Sequence, residues 1–205
     1  MPSHRIETVI FDVDDVLCDY DRDARIARMA AATGLEPAAI VAAIWDSGFD
    51  ERADAGEFDA ESYLAETNRR LGRTITAAEW AAARRAGMTP RPAVLEMAGR
   101  AGKKATLAAL TNNGPLMRER MSDIFPEAAA LFGERLFFSW ELGLAKPDPR
   151  AFLAVLERVG GKPESALFID DDAGYLMGAA EAGLFTHQYT GEDALARQLA
   201  DFGLL

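Results

Sequence analysis

Three runs of consecutive apolar residues end abruptly in polar ones: Thr8 to Val13, Ala105 to Asn113 and Ser165 to Asp172. Unbroken runs, as opposed to alternating ones, predict strands buried on both faces, which is the habit of parallel sheets. Shorter runs at Arg135 to Ser139 and Leu184 to Tyr189 predict two more strands. Apolar positions at helical spacing fall between them, in "TPRPAVLEMAGRAGKK", "GPLMRERMSDIF", "DPRAFLAVLERVGG" and "TGEDALARQLADFG". Pro115 and Pro149 stand at first helical positions, Asp148 is an N-cap, and Thr190 with Asp193 resembles a capping box. Strands alternating with helices predict an α/β, Rossmann-like parallel sheet with helices on both faces.

One segment breaks the alternation. From about Asp19 to Thr89 the pattern is helical only: "DRDARIARMAAATG", "PAAIVAAIWDSG", "DAESYLAETNRRLG" and "TAAEWAAARRAG", with Thr76 and Glu79 as a capping box for the last. The four share no fixed period. This predicts a sheet domain from residues 1–17 and 90–205, with an all-helical lobe, 18–89, inserted after the first strand.

Composition narrows the function only by exclusion. The 205 residues are 49% hydrophobic, enough for one sizeable core or a core plus a lobe. Lys and Arg number 22 against 33 Asp and Glu, a net charge of -11 that disfavours nucleic acid and anionic membrane as partners. A phosphorylated metabolite is still admissible where a local cation reverses the sign. Cys18 is the single cysteine, and His4 and His187 the two histidines, so neither a disulfide within the chain nor a conventional zinc site is expected. "MPSHRIETVI" has no signal-like apolar stretch and no run reaches bilayer length, so the expected location is cytoplasmic.

The chemistry gathers where the strands stop. Ligands of open parallel sheets bind beyond the carboxyl ends of the strands. Those ends deliver Asp12 and Asp14, then Thr111 and Asn112, then Asp170 and Asp171, while Lys146 follows the Arg135 to Ser139 run in "GLAKPDP". Singly each has a plain reading as a solvated loop, a cap or a surface lysine. Together they converge on one sheet edge. Two carboxylates 4 Å apart repel by roughly 4 kcal/mol at an effective dielectric near 20, so a cation is expected among them. Mg²⁺ suits a site of one or two carboxylates, waters and a substrate phosphate. Lys146 adds a fixed positive charge and Thr111 a hydroxyl donor. Asp19, Asp21 and Asp23 are read instead as the start of the first lobe helix, where negative charge is favoured.

These residues in this order resemble the haloacid dehalogenase (HAD) superfamily, in the subgroup with a helical cap after the first motif. "FDVDDVL" resembles the first motif, "LTNN" the second, "LGLAKPDPRAF" the third and "LFIDDDAGYLMGAAEAG" the fourth. "ERADAGEFDAESYLAE" and "FFSWELGLAKPDP" are similar to sugar-1-phosphate phosphatases and to the N-terminal phosphatase of soluble epoxide hydrolases. The resemblance implies a Mg²⁺-dependent phosphatase of a small phosphorylated metabolite, a sugar phosphate in that subgroup, acting through an aspartyl-phosphate. Asp12 would attack phosphorus, while Asp14 protonates the leaving alcohol and then activates water. Thr111, Asn112 and Lys146 would hold the phosphoryl group. Asp12, the Asp14 carbonyl and Asp171 would hold the metal, with Asp170 behind them or sharing the role. The lobe would close over the site, with Trp45, Phe49 and Arg52 as substrate contacts; the other reading of that segment is an ordinary helix–helix loop with a core tryptophan. Two positions depart from the pattern: Asp15 stands where Gly or Asn is frequent, so its turn calls for a side-chain hydrogen bond or a water, and Tyr175 stands where many members have Asn.

Several rivals share parts of this pattern. A haloacid dehalogenase needs no acid two residues after the nucleophile, so Asp14 favours phosphate. A phosphonatase needs a cap lysine, yet Lys103, Lys104, Lys146 and Lys162 all lie outside the predicted lobe. A phosphomutase shares every core motif and stays open, as do a non-enzymatic phospho-acceptor or binding scaffold and the choice of monomer or homodimer. A receiver domain begins with its acidic doublet, whereas here the doublet comes last. Cys18, with no base nearby in sequence, reads as a buried thiol.

Overall fold

The computed structural model describes residues 5–205, so His4 lies outside the described residues. In chain order the elements are β1 Thr8–Phe11, β2 Cys18–Tyr20, α1 Arg22–Thr33, α2 Pro37–Ile44, α3 Phe49–Asp54, α4 Ala60–Leu71, α5 Ala77–Ala86, β3 Met88–Pro90, α6 Pro92–Ala101, β4 Thr106–Thr111, α7 Pro115–Glu119, α8 Met121–Ile124, α9 Pro126–Phe132, β5 Leu136–Phe138, α10 Ser139–Leu142, α11 Pro149–Val159, β6 Ala166–Asp170, α12 Ala173–Glu181, β7 Phe185–Gln188 and α13 Glu192–Asp201. The five expected strands form one parallel sheet in the order β5-β4-β1-β6-β7.

The sheet is covered on both faces. Val9 and Phe11 of β1 pack with α6, α9 and α13, while Ile10 between them faces Ala151, Phe152 and Val155 of α11. After β1 the chain runs outward through β4 to β5, then returns past β1 to β6 and β7. The connections therefore diverge at β1 and β6, and the crevice at their carboxyl ends is the switch point where such sheets bind ligands.

Between β2 and β3 lie the helices α1 to α5, but the insertion is not helical throughout. Its two ends pair as an antiparallel ribbon, Cys18 with Pro90 and Tyr20 with Met88. Three-residue strands carry too few positions for an alternating pattern, so the ribbon escapes the sequence reading. The segment of Trp45, Phe49 and Arg52, for which a plain helix–helix loop was the other reading, contains α3. "GPLMRERMSDIF" is two short helices, α7 and α8, broken at Arg120. Thr190 and Asp193 form no capping box, because Gly191 is the N-cap of α13 and no side chain caps it. The Thr76–Glu79 box, the Asp148 cap and the Asp21 cap of α1 are present. No single helix among the described residues is long and apolar enough to cross a membrane.

Candidate active site

Asp12 follows the last residue of β1, and its amide extends the ladder by donating to the Ile169 carbonyl at 2.9 Å. The parallel register sets Phe11 beside Ala109 and Ile169, which brings Asp12, Thr111 and Asp170 to one edge. Asp12 is 6% exposed and Asp170 fully buried. Between their carboxylates stands Lys146, whose Nζ donates to Asp12 Oδ1 and to Asp170 Oδ2, both at 2.7 Å. Lys146 is thus the fixed cation that makes the pair tolerable. Its backbone is clamped reciprocally by Asn112: the Lys146 amide donates to Asn112 Oδ1 at 2.9 Å, and Asn112 Nδ2 donates to the Lys146 carbonyl at 2.8 Å. Asn112, expected as a phosphoryl contact, lines the cleft and also holds the lysine loop. The ring of Tyr175 lies 4.6 Å from Nζ.

Burial pushes the Asp12 carboxyl up to about 8, against the lowering effect of Lys146 and with the raising effect of Asp170. Lys146 is held above its ordinary value, because the attraction of Asp12 and Asp170 outweighs the opposing effect of burial. Asp171 is exposed and is raised by partial burial and by Asp170. One oxygen each from Asp12, Asp170 and Asp171 falls within 4.8 Å of the others. An all-carboxylate set of this size fits a hard divalent cation such as Mg²⁺. Within it both Asp170 oxygens are already engaged: Oδ2 by Lys146 and Oδ1 by the Asp172 amide at 2.8 Å.

Asp14 hangs at the other side of the cleft. Its Oδ2 accepts from Arg84 Nη2 at 2.5 Å and from Asn113 Nδ2 at 3.3 Å, and Asn113 also donates to Thr111 Oγ1 at 2.7 Å. Arg84 comes from α5, lies 1% exposed and stacks 4.0 Å from the Tyr20 ring. Asp15 adopts φ 60°, tolerable for an aspartate in a tight turn. The Tyr20 amide donates to Asp15 Oδ1 at 3.1 Å, which is the side-chain hydrogen bond expected there. Cys18 is buried beneath Asp14, and burial first, then the Asp14 charge, push its thiol up, away from nucleophilic use.

The cleft above these groups holds about 440 Å³. Trp45 lines it, but the other two expected contacts do not. Phe49 is fully buried in the lobe, stacked on Tyr63 at 5.0 Å and edge-on to Phe58 at 5.3 Å. Arg52 is exposed and paired with Glu57. Instead the lobe contributes Arg22, Arg25, Asp50, Asp54 and Arg84. Sequence reasoning missed Arg84, which sits among the buried Trp80, Ala81 and Ala83 of α5. Arg25 likewise sits among buried positions of α1.

Comparison with known proteins agrees with this geometry. A family model described as haloacid dehalogenase-like hydrolase matches residues 6–183. The phosphatase MT3486 of Mycobacterium tuberculosis is 30% identical over 98% of this chain and 96% of its own length. A predicted HAD-like family hydrolase from Porphyromonas gingivalis superposes with TM-score 0.77 at 24% identity, covering 95% of this chain and 98% of that one. A HAD family enzyme from Bacteroides thetaiotaomicron, in complex with magnesium and inorganic phosphate, superposes with TM-score 0.73 at 21% identity, covering 89% and 93%.

Proposed function

Because the chain belongs to the haloacid dehalogenase-like hydrolases, we propose that it is a Mg²⁺-dependent phosphatase that cleaves a small phosphate monoester through a phosphoryl group carried on Asp12. The observation that carries this reading is the buried Asp12–Lys146–Asp170 array at the sheet switch point, with Asp14 across the same cleft. The curated phosphatase relative and the magnesium–phosphate complex of a structural neighbour support it.

In this account Asp12 Oδ attacks phosphorus and the ester P–O bond breaks as the leaving alcohol takes a proton from Asp14. Asp14 then removes a proton from water, which attacks the aspartyl-phosphate, releases phosphate and restores Asp12. Arg84 and Asn113 occupy Asp14 Oδ2, while Oδ1 accepts only the weak Cys18 thiol contact at 3.9 Å and is the oxygen that carries the proton. Thr111 and Lys146 stabilise the charge on the transferring oxygens. Asp12, Asp171 and the Asp14 carbonyl would hold Mg²⁺, which would supply further positive charge at the phosphoryl group. Asp170 aims Lys146 through Oδ2 and stands behind the metal or shares its ligation. The segment from 18 to 89 acts as the cap that excludes water and shapes the leaving-group pocket.

The test is phosphate release from an aryl phosphate, with Mg²⁺ and with chelator, for wild type beside Asp12→Asn. Metal-dependent release that disappears in the variant supports the reading. Release that persists in folded Asp12→Asn removes Asp12 from the reaction.

A further inference from the structure

Arg25 is a buried cation with too few partners. It is 5% exposed and lines the cleft on the lobe side of Asp14. Among the described residues no carboxylate oxygen lies within 4.0 Å of its guanidinium. Its Nη1 donates to the Tyr20 hydroxyl at 3.1 Å, and its Nε has no hydrogen-bond partner. The Trp45 and Trp80 rings, 5.1 and 5.2 Å away, hold it in place but cannot neutralise it. Buried charges are ordinarily paired and hydrogen-bonded; Arg25 feels the Asp50 charge through space but makes no direct ion pair with it.

The neighbouring acids leave its hydrogen-bonding face open, Asp50 acting on it only through space. Asp50 accepts the Tyr63 hydroxyl at 2.9 Å. Burial first, then the Asp50 charge, hold the Asp54 carboxyl well above its ordinary range, which favours its neutral form. Asp14 is taken by Arg84. Arg22, one turn before Arg25 on α1, adds a second guanidinium 5.6 Å from the Trp45 ring and makes no ion pair among the described residues. The void that Arg25 shares with Asp50 and Asp54 is only about 10 Å³, room for one water at most. A substrate group therefore reaches Arg25 from the main cleft.

We infer that the alcohol half of the substrate carries its own negative charge, a carboxylate or a second phosphate, and that Arg25, with Arg22 at the mouth, receives it. This rests on the phosphatase reading for the position of the scissile phosphate, and it gives the cleft two anion-binding poles, Lys146 at one end and Arg25 at the other. The products are then phosphate and an acidic alcohol.

Matched esters test it. Phosphoglycolate is compared with ethyl phosphate, and propane-1,3-diol bisphosphate with propyl phosphate, each pair differing by one anionic group. Binding to full-length Asp12→Asn in the presence of Mg²⁺ is read by calorimetry, and kcat/KM is read on wild type. The expected result is a preference of about tenfold or more for the anionic member of at least one pair, the size of a charge-assisted contact; which pair identifies the group. In Arg25→Met, or in the exposed Arg22→Ala should Arg25→Met fail to fold, that ratio falls toward one. Anionic and neutral members bound equally, in either readout, overturn the inference. Turnover absent for every ester, with the anionic preference kept in binding, overturns the phosphatase reading alone.

Discussion

At the residue scale the site rests on one lysine shared by two buried aspartates. Removing it leaves Asp170 as an unpaired buried carboxylate and strips Asp12 of its donor, so Lys146→Ala should cost about 3–5 kcal/mol of stability and lower turnover about 100-fold or more. Denaturant titration and single-turnover kinetics read the two effects separately; a variant as stable as wild type would place the countercharge elsewhere. Asp12 predicts a pH effect of definite sign. With its carboxyl pushed up to about 8 by burial, the metal-free site carries a proton there below that pH, and a cation must displace it. Mg²⁺ affinity should fall by up to about tenfold per unit as pH drops below this value. Calorimetry in buffers of different ionisation enthalpy counts the released proton, and an affinity flat with pH contradicts the protonated state of Asp12. Asp12, Asp14, Thr111, Lys146 and Asp171, which line one cleft, were legible at or just beyond the ends of apolar runs. Arg84 and Arg25 were not, because an arginine within a helical pattern ordinarily marks the solvated face.

At the element scale, long buried strands and caps were readable, and short or context-dependent elements were not. The β2–β3 ribbon owes its existence to the closeness of the two ends of the insertion. It is held by Arg91, which donates to the Asp15 carbonyl and pairs with Asp19 at 2.5 Å. Asp19 therefore serves the ribbon, while Asp21 caps α1. Thr190 failed as a cap because Gly191, at φ 138°, already turns the chain into α13. Thr76→Ala removes a real cap and should destabilise by about 1 kcal/mol, measurable by urea denaturation; an unchanged midpoint would show the α5 terminus held by packing alone. Gly178 gives a sharper test of how α12 locates Lys146. A Cβ there would lie 1.8 Å from the Pro147 carbonyl oxygen, so Gly178→Ala must displace the loop that carries Lys146. Turnover should drop while Mg²⁺ binding changes little, and normal turnover would mean that the loop is not set by this contact.

At the scale of the whole molecule, the insertion and the sheet form one packed body. Lobe residues such as Met29, Ile44, Tyr63 and Trp80 belong to the same apolar cluster as Val9, Phe11, Leu116 and Ile124. Polar ties reinforce the seam: Ser139 Oγ donates to the Asp54 carbonyl at 2.7 Å, Trp140 Nε1 to the Phe58 carbonyl at 2.6 Å and Arg85 to the Asp123 carbonyl at 2.8 Å. The cleft is therefore roofed by groups whose positions are fixed by the sheet domain. The continuity of the insertion's core with the rest was not legible in the sequence, since the partners lie far apart in the chain. A shared core should unfold in a single transition, with calorimetric and van't Hoff enthalpies equal; two resolved transitions would show an independently stable lobe.

The central claim is that Asp12 carries the phosphoryl group. Its most direct test is acid quenching of the enzyme during turnover of an aryl phosphate with Mg²⁺, followed by digestion and mass spectrometry of the peptide that contains Asp12. The account predicts phosphate on that peptide in wild type and none in Asp12→Asn. Phosphate on another peptide, or an equally labelled variant, would contradict it.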